Sequence, residues 1–137
     1  PPRREGAAAE RPMDNTPDTP TGRQVIESYG DRRFRVSGQV FEGSILVFTD
    51  RAQPWPVAGM DALSLESLAA VVQAEPVVEV LLLGCGDQMA VVSKTLREGL
   101  RADGVVIEPM DTGAACRTFN VLMAEGRRVA AALIAVD

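Results

Sequence analysis

The sequence predicts an α/β domain built on a mixed sheet, and three observations carry that prediction. From Ser64 onward, short apolar runs alternate with segments of helical periodicity; around Phe34 and Val36 the side chains alternate with period two; and Gly or Pro stands at most changes of pattern. The resulting order in the second half, with four strands separated by three helices, implies a largely parallel or mixed sheet with right-handed crossovers. Hairpin strands from the first half should extend or cover it.

Each element can be justified in turn. Residues 1–22 hold Pro1, Pro2, Pro12, Pro17 and Pro20 among mixed charges and almost no large apolar side chain. They cannot offset the entropy of ordering and read as a disordered arm, leaving 23–137 as one domain. Val25 and Ile26 begin a strand that stops at Tyr29 and Gly30, and Phe34 and Val36 alternate with Arg33, Arg35 and Ser37 in a second. Gly38 breaks it. Residues 39–49 then resume as one extended segment, whose run Ser44-Ile45-Leu46-Val47-Phe48 is expected of a central strand covered on both faces. In the loop 50–61, Pro54 and Pro56 favour an extended backbone and fix how Trp55 is presented.

Ser64 suits a helix N-cap, with Leu63 and Leu68 placed as a hydrophobic staple and Leu65, Leu68, Ala69 and Val72 on one face of a helix over 65–75 that ends at Pro76. Residues 77–83 form a short buried strand closed by Gly84-Cys85-Gly86. Ser93 caps a helix through Ala102 that turns Leu96 and Leu100 inward, and Gly104 suits its left-handed C′ position. A strand over 105–109 leads to Asp111-Thr112 and a third helix ending near Glu125-Gly126, and 127–136 read as the last strand.

Composition narrows the function. With 14 basic and 19 acidic side chains the net charge is -5, which argues against a nucleic-acid partner, since phosphate-backbone affinity needs clustered Lys and Arg. The absence of histidine excludes Ser-His and Cys-His nucleophilic pairs, histidine metal sites and imidazole acid-base catalysis within this chain. Cys85 and Cys116 are too few for a cysteine-rich zinc site and suggest a reducing compartment, so no metal or cofactor is expected. No run approaches the roughly 18 apolar residues of a membrane helix. The first twenty residues lack a signal-peptide core, and Glu5, Glu10, Asp14 and Asp18 interrupt what would be an acid-poor transit peptide. A cytoplasmic protein is expected.

The most suggestive place for a ligand lies where two expected strands end, at Gly84, Cys85, Gly86 and Asp87 and at Asp111, Thr112 and Gly113. Ligands of open α/β sheets favour the crevice beyond the carboxyl ends of strands. Arg117 and Asn120 share a helical face with Gly113, and an arginine near a helix start would suit a carboxylate or phosphate. The same residues have a structural reading, in which the glycines end strands, Asp111 or Thr112 caps a helix, and Arg117 pairs locally. Cys85 is the better candidate for a reactive thiol, whereas Cys116 reads as a small buried hydrophobe. For a protein partner, Lys94, Arg97 and Arg101 form a basic helical stripe, and Trp55 is either an exposed anchor or a core plug.

Four stretches, FRVSGQVFEGSILVF, the Trp55 region, EVLLLGCGDQ and above all MDTGAACRTFNVLMAEGRRVAAALI, together resemble the family of the mitochondrial NADH:ubiquinone oxidoreductase complex assembly factor 3 and its uncharacterised bacterial and archaeal relatives, the Mth938-like proteins. The resemblance covers about residues 24–135. It implies a three-layer α/β fold, a mixed central sheet with flanking helices and an N-terminal hairpin layer. It also implies a noncatalytic assembly or interaction factor, for respiratory complex I or another membrane complex, whose partners are complex subunits or assembly and insertion factors. The alternative is an anion or small-molecule binding domain with its cleft at the two strand ends.

Overall fold

The computed structural model describes residues 11–12 and 23–137. The expected disordered arm, 1–22, falls outside the described residues except for Arg11–Pro12, strand β1, which pairs antiparallel with Tyr29 and Ser28.

The N-terminal layer is an antiparallel sheet of β1, β2 (Ile26–Gly30), β3 (Arg33–Val36) and β4 (Gln39–Glu42), in that order. Two-residue turns join its later strands, Asp31-Arg32 and Ser37-Gly38, all four with positive φ, as the twist of a tight hairpin demands. A bulge at Glu27 lets Ile26 and Tyr29, three residues apart, both face the interior.

The single extended segment expected over 39–49 is two strands in different sheets. Gly43, at φ +81, turns the chain between β4 and β5 (Ile45–Val47), a backbone conformation that side chains rarely adopt. The second sheet runs β6–β5–β9–β7–β8, with β6 (Ala52–Pro54), β7 (Val80–Gly84), β8 (Val106–Met110) and β9 (Val129–Leu133). β7 is parallel to both β8 and β9, while β5 is antiparallel to β6 and β9. The sheet is therefore mixed, as the sequence predicts, with β9 rather than β5 in the middle.

This sheet is buried on both faces, and period-two alternation divides the core in two. Leu46, Leu81, Leu83, Ala130 and Ala132 point to one side, where they meet Trp55, Leu68, Leu96 and Leu100. Ile45, Val47, Leu82, Ala131 and Leu133 point to the other, against Phe119, Met123, Ile26 and Phe34. Helices cover the first face and a helix plus the hairpin layer the second. The first face carries α1 (Ala69–Val72), preceded by a 3-10 turn at Glu66–Leu68, and α2 (Lys94–Ala102). The second carries α3 (Thr112–Ala124).

The helix expected over 65–75 is shorter, and Val71 rather than Val72 is its inward residue. A 3-10 start shifts the phase of the buried stripe, leaving Leu65 41% and Val72 36% exposed. Ser64 does close the helix start: Ser67 N–H donates to Ser64 Oγ and Ser64 N–H donates to Ser67 Oγ. α2 begins as expected, with Leu96 N–H donating to Ser93 Oγ at 3.2 Å.

Candidate functional site

The loops after β7 and β8 meet, and the contact is made by backbone. Cys85 N–H donates to Met110 O at 2.8 Å, and Thr112 N–H to Gly86 O at 2.8 Å. Gly86 N–H donates to Thr112 Oγ1, whose own hydroxyl donates to Ile134 O at 2.8 Å. Ile134 N–H closes the circuit on Gly84 O. Thr112 is fully buried, so one hydroxyl ties the ends of β7, β8 and β9 together. Gly84 is needed for this approach, since a Cβ there would lie 2.9 Å from the Thr112 Cα, and backbone cannot yield as a flexible side chain can.

The other residues singled out in the sequence take defined places around this lock. Asp111 accepts from Ala114 N–H at 2.8 Å and so caps α3. Asn120, eight residues beyond Thr112 and hence roughly 12 Å further along the helix, is engaged with the hairpin layer. Its Oδ1 accepts from Ile26 N–H at 2.9 Å and its Nδ2 donates to Ile26 O at 2.8 Å. Arg117 is exposed and its Nη1 reaches Tyr29 Oη at 3.4 Å. Tyr29 is a residue the sequence reading missed: its hydroxyl closes over Gly113, where an added Cβ would come within 2.5 Å of it. Gly84, Gly86, Cys85 and Thr112 are thus brought together, with Asp111 beside them, and Asn120 is not.

The two thiols are both buried. Cys116 lies inside the α3 interface, where burial pushes its pKa far above the ordinary thiol value, with the Arg117 charge acting to lower it and the Asp111 charge to raise it. Cys85 Sγ points at two carbonyls, Leu83 O at 3.7 Å and Ala90 O at 3.9 Å. Among the described residues no group of three or more Cys, Asp and Glu side chains is arranged to hold a metal ion.

Of the residues offered for a partner, Trp55 is a correction: it is 4% exposed, a core plug and no surface anchor. Its indole N–H donates to Ser67 O at 2.7 Å, which satisfies the one polar atom of a ring otherwise packed on the first face. Lys94 and Arg101 face solvent, Lys94 in a surface pair with Glu98 at 3.9 Å. Arg97 is partly buried and donates to Ile107 O on the edge strand β8. Beside this helix, Met89 and Val91 are 61% and 88% exposed, next to a groove of ≈ 330 Å³ lined by Met60, Leu63, Val91 and Leu96. No helix among the described residues is long and apolar enough to cross a membrane.

Comparison with known proteins agrees with this architecture. An uncharacterized protein of Rhodobacter capsulatus is 42% identical over 114 residues, which are 82% of this chain and 86% of that protein. The NADH dehydrogenase (ubiquinone) 1 alpha subcomplex assembly factor 3 of Danio rerio is 38% identical over 110 residues, 80% of this chain but only 63% of its own length. Among solved structures, an outer membrane protein from Bartonella henselae superposes with a TM-score of 0.78 at 36% identity, over 85% of this chain and 98% of that one. A Mth938-like domain from Bordetella pertussis does so with a TM-score of 0.73 at 31% identity, over 89% and 92%. Residues 26–134 match the model of a family described as proteins of unknown function, DUF498/DUF598, and the chain belongs to that family, with the Mth938-like fold.

Proposed function

We propose that this protein is a noncatalytic assembly factor that holds subunits or other assembly factors of respiratory complex I, or of another membrane complex, at the membrane's cytoplasmic side. The observation that carries the reading is the set of relatives named complex I assembly factor 3, 31% to 38% identical over about four-fifths of this chain. This chain spans 63% or less of their length, so the proposal concerns the shared domain.

The surface best suited to a protein partner runs along α2 and the loop before it. Exposed Met89 and Val91 supply apolar contact, and Lys94 and Arg101 add positive charge in a protein of net charge -5. An apolar patch rimmed by charge is the usual form of a contact site, and the charge favours an acidic partner surface.

Affinity purification of the tagged protein from its native host, with mass spectrometry, tests this directly. Wild type should recover complex I subunits or insertion factors, and Val91→Asp combined with Lys94→Glu and Arg101→Glu should lose them. Equal recovery by both forms would exclude this surface; recovery of no such component by wild type would sink the proposal.

A further inference from the structure

At the opposite end of the second sheet from the Gly84 and Thr112 lock, four arginines border one cavity. Arg23, Arg51, Arg127 and Arg128 line it together with Phe48 and Val78, enclosing ≈ 220 Å³. Their sequence positions are far apart and the fold assembles them: Arg23 precedes β2, Arg51 sits in the turn between β5 and β6, and Arg127 and Arg128 lie between α3 and β9.

Among the described residues, only two of the four arginines are held in ion pairs. Asp50 pairs with Arg51 at 2.9 Å and Glu79 with Arg128 at 3.6 Å, both at the solvent-exposed rim. Arg23 Nη1 donates to Met123 O, a neutral acceptor, at 2.9 Å. Arg127 has no ion pair among the described residues. Two of the four positive charges therefore lack a carboxylate. The carboxyl end of α3 lies here, but a helix end supplies only about half a negative charge, too little to account for both.

The site is also partly organised in advance. The Arg51 guanidinium lies 4.0 Å from the Phe48 ring centroid while Asp50 holds its Nη1, so little freedom remains to be lost on binding. A volume of ≈ 220 Å³ is smaller than the roughly 300 Å³ at which drug-sized pockets begin. A phosphate group carries a charge of about -1.5 to -2 near neutral pH, which matches the two uncompensated guanidiniums, and their planar forks suit its oxygens.

We propose that this arginine cavity binds a small phosphate-bearing anion, inorganic phosphate or a phosphomonoester of a few carbons. The site is separate from the assembly surface around α2 and does not depend on that reading.

The test is an amide NMR titration of the full chain with inorganic phosphate at constant ionic strength, followed by glycerol phosphate, with acetate as a monoanion control. Saturable shifts at the amides of Val77, Val78, Gly126, Arg127 and Val129 are expected, with Arg127→Gln and Arg128→Gln each binding about tenfold or more weakly. Both side chains are exposed, and an unchanged spectrum elsewhere would verify the fold of each variant. Tighter binding of glycerol phosphate would assign the Phe48 and Val78 wall to an organic moiety, and equal binding would identify phosphate itself. The proposal is overturned by an absence of saturable shifts at these amides, by an equal response to acetate, by undiminished affinity in both variants, or by shifts confined to Thr112, Gly113 and Ala114.

Discussion

Asn120 answers both backbone groups of Ile26, one residue before the bulge at Glu27, and so fastens α3 to the hairpin layer. Both partners are buried, and truncating the side chain would leave an amide and a carbonyl of Ile26 without their acceptor and donor. Asn120→Ala is therefore expected to lower unfolding stability by about 2 to 4 kcal/mol, read from urea denaturation as a lower midpoint at unchanged slope. A loss below about 0.5 kcal/mol would mean that water replaces the carboxamide. The sequence places Asn120 correctly on a face with Gly113 and Arg117, yet a polar residue there suggests a ligand as readily as a clamp. The deciding partner is 94 residues away, and its backbone is invisible to side-chain periodicity. Trp55 is similar: Pro54 and Pro56 fix its backbone, but only the fold shows the apolar face that takes the ring and the Ser67 carbonyl that satisfies its N–H.

At the level of elements, local signals were sound wherever the chain chemistry decides alone. Ser93 and Asp111 cap α2 and α3 through their side chains, and strands β2, β3, β7, β8 and β9 fall within or beside the expected segments. The segment 39–49 was not legible, because a nearly continuous apolar run hides that Gly43 sends its two halves to different sheets. Asp111 also distinguishes a cap from a ligand group. Asp111→Ala should cost about 1 kcal/mol and speed hydrogen exchange at the Ala114 amide, while Asp111→Asn, which keeps an acceptor, should restore most of the protection. Equal exchange in all three forms would show that the 2.8 Å hydrogen bond contributes nothing to the helix.

For the whole molecule, the mixed sheet follows from the pattern of runs and breaks, whereas that pattern leaves open whether the hairpin strands extend or cover the sheet, and it does not give the strand order. Placing β9 between β5 and β7 makes the last strand the centre of the fold, and its run Val129-Ala130-Ala131-Ala132-Leu133 is small enough to be covered closely on both faces. The same topology gathers the ends of β7, β8 and β9 into a hydrogen-bonded lock at one end and four arginines at the other. Only the first gathering has a sequence signal, the glycines and Thr112 at expected strand ends. Arg23, Arg51, Arg127 and Arg128 belong to no common motif, so their convergence needs the fold.

The central claim is that the molecule acts by assisting the assembly of a membrane complex. Its most direct test is deletion of the gene in the native host, with assembled NADH:ubiquinone oxidoreductase quantified on native gels of the membranes. Loss of the fully assembled complex with accumulation of partial assemblies, reversed by wild type and not by the Val91→Asp, Lys94→Glu, Arg101→Glu form, is the predicted result. Unchanged levels of that complex and of the other native membrane complexes in the deletion strain would contradict the account.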